Sequence, residues 1–297
     1  MKDGFFLFNG FNTYYQIFGD EKDQKPPLLI LNGGPGSSRH YLLNLQKLTK
    51  TGRKVILYDQ LGSGSSEGRD ETNLWNIKTF VDQVEAVRSE LNLKEIHLLG
   101  HSWGGMLAIE YMMTEPSGVL SLTLASSMIS MPLYQKEVDN LVADLPENTR
   151  LTLEKHHKAG TIDNPEYKQA LQEYENRHIF TGEHWPSELS TPKGAFNPAI
   201  YQLMWGLDET YAHTGSLKNW DRINDLHKIT IPTLITSGRY DELTPHQSDI
   251  THKEIANSRQ VIFEHSSHCH HIEEEARFLE TLSAFMADAE NKQTFLK

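Results

Sequence analysis

Ser102, Asp241 and His268 combine residue types and chain order suited to nucleophilic catalysis. Ser102 lies in Gly100-His101-Ser102-Trp103-Gly104, a Gly-x-Ser-x-Gly pattern. The apolar run 96–99 before it has strand character, and 106–113 after it reads as a helix. A serine on so tight a strand-to-helix turn is forced into strained backbone geometry, with its hydroxyl lifted out of the fold. Glycine is needed on either side because a Cβ there would collide with the neighbouring strand or helix. A serine hydroxyl is a poor nucleophile at neutral pH, so it requires a general base and a group that orients that base. Asp241 falls just past a strand at 233–237, and His268 a few residues past another at 260–263. Taken alone, Asp241 would be a loop or capping residue and His268 a surface histidine. With Ser102, their order and strand-end placement favour a catalytic triad.

The tetrahedral intermediate of acyl transfer needs N–H donors aimed at its oxyanion. The amide of Trp103 is one candidate, and Gly34 in Asn32-Gly33-Gly34-Pro35-Gly36 supplies the second. That glycine-rich loop lacks the lysine and spacing of a phosphate-binding loop. The group His265, His268, Cys269, His270 and His271 also suggests a metal. Adjacent residues rarely converge on one ion, and no second set of ligands is spaced to complete a tetrahedral site. The expectation is a catalytic histidine among bystanders, with no metal.

The elements that must hold these groups read as an α/β fold. A hairpin at 5–9 and 12–18, turning on Asn9-Gly10, precedes buried strands at 28–31, 55–58, 96–99 and 120–125. Ser37 or Ser38 can cap a helix beginning near Tyr41, and Ile77, Phe80, Val81, Val84, Val87 and Leu91 recur at helical spacing. Alternating strands and helices imply a mostly parallel sheet with right-handed crossovers. From about Met131 to Asp225 the rhythm breaks, giving helical stretches at 134–145 and 164–178. The expectation is a core domain of residues 1–130 and 226–297 with a helical cap, 131–225, over the strand ends. A closing helix is expected over 272–289.

Composition narrows the partners. At 297 residues the chain can bury a large core. Lysine and arginine number 28 against 40 acidic residues, a net charge of −12. That balance argues against nucleic acid or an anionic membrane surface, both of which need a basic footprint. One cysteine, Cys269, rules out an internal disulfide framework and suits a reducing compartment. The first eight residues hold too short an apolar run for a secretory signal, and no stretch reaches the length of a membrane span. A cytoplasmic protein is expected; the sequence assigns no oligomeric state.

Four segments together resemble the proline iminopeptidase family of α/β-hydrolase serine aminopeptidases: Asn32-Gly33-Gly34-Pro35-Gly36, Tyr58-Asp59-Gln60-Leu61-Gly62-Ser63-Gly64-Ser65, Gly100-His101-Ser102-Trp103-Gly104-Gly105 and Ser237-Gly238-Arg239-Tyr240-Asp241-Glu242. The similarity runs from about residue 5 to 286. It implies an α/β-hydrolase fold and release of an N-terminal residue, typically proline, from a small peptide or aminoacyl substrate. It also implies no metal or organic cofactor. It further implies carboxylates that hold the substrate's free α-ammonium, and Glu209 and Glu242 match those positions; Glu175 and Glu183 are further candidates. A buried ammonium needs opposite charge and acceptors, which makes the arrangement physically sensible. The chain departs from the family pattern at Asn32, where histidine is usual, and carries one extra residue between Glu209 and Trp220. Trp185, Tyr201, Trp205, Tyr211 and Trp220 could line a slot for a proline ring or simply pack the cap. An amino-acid amidase, esterase or lactonase on the same triad is the alternative activity. A catalytically silent scaffold would ordinarily lack a triad member, and none is missing.

Overall fold

Alternation within the central strands assigns each side chain to one of two cores. A computed structural model describes residues 1–185 and 190–291, without the side chains of 212 and 213. In β3 (Lys25–Leu31), Leu29 and Leu31 face one layer while Leu28 and Ile30 face the other. In β4 (Arg53–Tyr58), Ile56 and Tyr58 join the first layer, Val55 and Leu57 the second. Strands buried on both faces need helices on both, and each fully buried Leu or Ile contributes about 1.5–3 kcal/mol to the fold.

One sheet of eight strands results, ordered β1-β2-β4-β3-β5-β6-β7-β8. β1 (Lys2–Phe8) and β2 (Phe11–Phe18) form the expected hairpin, with Asn9 and Gly10 both at positive φ. β2 runs antiparallel to β4; β3, β4, β5 (Ile96–His101), β6 (Val119–Ala125), β7 (Thr233–Gly238) and β8 (Ser258–Phe263) are mutually parallel. The chain steps outward from β3 to β4, then returns across it to β5. At such a reversal the loops leaving two adjacent strands diverge and open a crevice at the carboxyl ends. Here those are the loops after β3 and β5, carrying Gly34 and Ser102.

Helices α1 (Ile77–Glu90) and α2 (Trp103–Met112) cover the first face. A 3-10 helix, Arg39–Thr51, and α9 (Glu275–Glu290) cover the second. The 3-10 helix begins at Arg39, and neither candidate serine caps it; the Ser38 hydroxyl bonds His40 Nδ1 at 2.9 Å instead. The closing helix starts later than 272 because a separate turn, α8 (His270–Glu273), precedes it. A break at Glu274 separates the two and lets His270 and His271 point into the core.

Between β6 and β7 lie α3 (Met131–Ala143), α4 (Glu147–Ala159), α5 (Pro165–His178) and α6 (Pro198–Met204), with 3-10 turns at Glu209–Thr214 and Ile223–Lys228. Ser130, Asn164 and Asn197 accept bonds from the first turns of α3, α5 and α6, and proline enters each helix at its start. α4 and α6 occupy stretches in which the sequence reading places no element. α7 (Pro245–Glu254) links β7 to β8. Residues 186–189 of the expected cap lie outside the described residues. No helix among the described residues is long and apolar enough to cross a membrane.

Candidate active site

The turn after β5 has the strain its sequence demands. Ser102 adopts φ 56°, ψ −125°, a region that costs about 1–3 kcal/mol for a residue with a Cβ. The glycines around it are sterically required. A Cβ on Gly100 would stand 2.2 Å from the Gly104 carbonyl oxygen, and one on Gly104 would stand 2.1 Å from that of Leu31. The turn is anchored where Ser102 N donates to the Ala125 carbonyl at the end of β6.

Asp241 and His268 meet at the ends of β7 and β8: His268 Nδ1 lies 2.9 Å from Asp241 Oδ1. Asp241 is 1% exposed, and its charge is met by three donors. Oδ1 accepts the Leu243 amide at 2.9 Å as well as the imidazole, while Oδ2 accepts the Ser126 hydroxyl at 2.5 Å. Burial opposes charge on His268, but the Asp241 carboxylate outweighs it and holds the imidazole pKa above its ordinary 6.5. Backbone bonds from His268 and Cys269 to the carbonyls of His178 and Ile179 pin this loop to the end of α5.

Ser126 has no sequence motif, yet it sits at the centre of this arrangement with φ 44°. Its oxygen is 3.0 Å from His270 Nδ1, whose other nitrogen lies 2.9 Å from the Thr236 hydroxyl. Burial lowers the His270 pKa to about 4, so its neutral ring passes one bond on and receives one. Thr236, His270 and Ser126 thus hold the far side of the Asp241 carboxylate. A small polar residue at a strand's carboxyl end, beside the turn strand, was the available signal for Ser126.

Gly34, at φ 121°, lines the crevice beside Ser102, and neither its amide nor that of Trp103, the residue after Ser102, finds a partner among the described residues. Asn32, in the place of the usual histidine, braces this loop: its Nδ2 donates to the carbonyls of Gly33 and Ser37, both at 3.0 Å. Gln60 ties the loop to the turn, donating to the Asn32 carbonyl and accepting from the Trp103 indole, each at 2.9 Å. The neighbouring Asp59 is structural, buried in an ion pair with Arg39 and accepting the amides of Arg39 and Ser65.

A cavity of about 410 Å³ opens over Ser102, Gly34 and His268. Its walls include Glu175, Asp208, Glu209 and Glu242, and no lysine or arginine among the described residues. Glu242, 3% exposed, accepts from the hydroxyls of Tyr134 and Tyr174 at 3.1 and 3.3 Å. Burial pushes its pKa well above the carboxylate range, and the nearby Glu209 and Asp241 push it further. Glu209 accepts the Tyr201 hydroxyl and is likewise raised, chiefly by burial. Glu175 rises to about 7 through burial and then repulsion from Glu209 and Asp208. Asp208 stays low despite burial because His157, Thr210 and Tyr167 all bond it. Glu183 is exposed and borders a second cavity, away from Ser102.

The expected aromatics divide. Trp185, Tyr201 and Trp205 line the cavity, whereas Trp220 donates to Glu110 at 2.6 Å and Tyr211 stacks on His157. The histidine cluster likewise divides: His268 meets Asp241, His270 meets Ser126 and Thr236, His271 packs against Tyr41 and His101, and His265 is exposed. Among the described residues no group of three or more His, Cys, Asp or Glu is arranged to hold a metal ion.

A family model described as alpha/beta hydrolase fold matches residues 26–275. The chain is 38% identical to the proline iminopeptidase of Heyndrickxia coagulans over 285 residues, covering 96% of this chain and 98% of that one. The crystal structure of VinJ superposes with a TM-score of 0.92 at 33% identity, covering 97% of this chain and 99% of VinJ. That of the Mycobacterium smegmatis proline iminopeptidase gives 0.89, also at 33% identity, covering 98% and 99%.

Proposed function

The chain belongs to the proline iminopeptidase family of α/β-hydrolases, and from that footing we propose that it is a serine aminopeptidase releasing N-terminal proline from small peptides. One observation carries this reading: a strained serine shares a cavity with the buried carboxylate of Glu242 and the half-buried one of Glu209, with no lysine or arginine lining it among the described residues. Such carboxylates are costly to ionise when the cavity is empty. A substrate ammonium supplies the missing charge, while an N-blocked substrate does not. Glu209 and Glu242 are therefore the anchors of the free amino terminus, and Trp185, Tyr201 and Trp205 offer an apolar wall for the pyrrolidine ring.

In the reaction, Ser102 Oγ attacks the scissile carbonyl as His268 takes its proton. Asp241 fixes the imidazole tautomer and stabilises the imidazolium. The amides of Gly34 and Trp103 receive the oxyanion. His268 then protonates the departing amine, and water, activated by the same imidazole, resolves the prolyl-enzyme. Residues 131–225 act as the cap domain on a core of 1–130 and 226–297; Glu175, Tyr201, Trp205 and Glu209 reach the cavity from that segment. A cytoplasmic setting belongs to the same proposal, supported by the single buried thiol, Cys269.

A panel of proline, alanine, leucine and phenylalanine naphthylamides with a p-nitrophenyl ester tests the reading. Highest kcat/KM on the proline amide supports it. Preference for the ester, with the aminoacyl amides left intact, would replace it with the esterase alternative.

A further inference from the structure

We propose that Tyr41 and His101 form a positioning bridge that locks the oxyanion loop, the serine turn and the histidine loop into one geometry. The inference rests on the serine-hydrolase reading above. It requires only Ser102, His268 and the Gly34 amide, not the prolyl specificity.

The bridge is continuous. Gly33 N donates to Tyr41 Oη at 2.7 Å, Tyr41 Oη lies 2.9 Å from His101 Nδ1, and His101 Nε2 lies 3.1 Å from the His268 carbonyl oxygen. Elementary chemistry sets the direction of each bond. A carbonyl only accepts, so His101 Nε2 carries the proton. Burial holds the His101 imidazole pKa well below its ordinary value, so the ring is neutral and Nδ1 is an acceptor. Tyr41 must then donate to Nδ1, which leaves its oxygen to receive the Gly33 amide. Each of these polar atoms is satisfied by the next, in a site where both side chains are buried, at 8% and 2% exposure.

Three loops from distant parts of the chain meet through two side chains. Gly33 precedes the oxyanion donor, His101 precedes the nucleophile, and His268 is the base itself. The approach is close: a Cβ on Gly33 would lie 2.7 Å from Tyr41 Oη and 3.0 Å from Ser102 Cβ. Oxyanion donors act only when fixed before the charge develops; Asn32 and Gln60 hold carbonyls of this loop, and Tyr41 holds the Gly33 amide beside the donor. Tyr41 also packs edge-on against His101 and His271, with ring centroids at 5.3 and 5.7 Å. Phenylalanine would preserve that packing, so Tyr41→Phe isolates the hydrogen bonds.

The experiment compares wild type and Tyr41→Phe in three measurements: phosphonylation of Ser102 by a small fluorophosphonate, steady-state cleavage of proline naphthylamide, and binding of prolyl boronic acid against proline. The bridge predicts phosphonylation and kcat lowered about 10- to 100-fold with KM within about twofold, a smaller loss than deleting an oxyanion donor outright. Boronate affinity, which reports the tetrahedral state, falls with kcat, and proline affinity does not. His101→Gln, which can donate to the His268 carbonyl and accept from Tyr41, retains more activity than His101→Leu. Phosphonylation of Tyr41→Phe at the wild-type rate overturns the bridge, as does an equal loss of boronate and proline affinity. If Tyr41→Phe does not fold, equal activity of the two His101 variants overturns it. A wild type that is phosphonylated but releases no proline overturns the substrate reading alone.

Discussion

Replacing Glu175 with glutamine should make the protein more stable above neutral pH, at a place where its cavity stores uncompensated acidity. The Glu175 carboxyl is raised from 4.5 to about 7 by burial and by Glu209 and Asp208. Between those values the folded chain holds a proton that the unfolded chain has released. Stability therefore falls as pH rises from 4.5 through 7, the reverse of an ion-paired carboxylate. At 1.36 kcal/mol per pH unit, full ionisation costs the folded state at most about 3 kcal/mol, and about 1–3 once partial solvation in the cavity is allowed for. Glutamine is nearly isosteric and never ionises. Urea unfolding followed by tryptophan fluorescence should give superimposable stabilities at and below about pH 4.5, with the variant gaining between 4.5 and about 7 and keeping a constant advantage at pH 8. Parallel curves across that range, or a variant less stable at pH 8, would refute the reasoning.

Other perturbations test the remaining parts. Ser126→Ala leaves Asp241 Oδ2 without its donor, a loss of about 1–3 kcal/mol. It should lower kcat about tenfold or more while leaving the KM for proline naphthylamide near wild type. Gly104→Ala drives a Cβ to within 2.1 Å of the Leu31 carbonyl oxygen; thermal unfolding should report a loss of about 3 kcal/mol or more, or no folded protein. The general base must be neutral to act, and Asp241 raises the His268 pKa. The acidic limb of the kcat/KM–pH profile should therefore have its midpoint above 6.5. Asp241→Asn should move that midpoint down and lower kcat by about 10⁴.

The sheet and the turn at Ser102 were legible from local signatures, whereas Asp241 and His268 stood out only by their order and strand-end placement relative to Ser102. Apolar runs long enough for buried strands mark β3 to β7, and glycines at fixed offsets mark the turn. Glu209 and Glu242 were singled out through the family resemblance, Glu242 by its place directly after Asp241. The helices between β6 and β7 were partly legible. α3 and α5 carry amphipathic periodicity and capping residues, whereas α4 is so polar and α6 so short that neither imposes a period. Ser126, Tyr41, His101 and His270 were not legible as parts of the site. Their roles arise from tertiary hydrogen bonds across strand ends, and an isolated serine or tyrosine carries no spacing that announces them. Glu175 and Glu183 looked equivalent in sequence. Only the packing of α5 against the cavity separates a half-buried carboxylate with pKa about 7 from an exposed one.

The proposed recognition of a free amino terminus by carboxylates beside Ser102 is open to direct measurement. The direct measurement is kcat/KM for proline naphthylamide against its N-acetyl derivative, in the wild type and in Glu209→Gln and Glu242→Gln. Losing a buried charge partner is worth about 3–5 kcal/mol, so the wild type should favour the free amine by about 10² or more, and each glutamine variant should erode that preference. Equal cleavage of the free and acetylated substrates by the wild type would contradict the account.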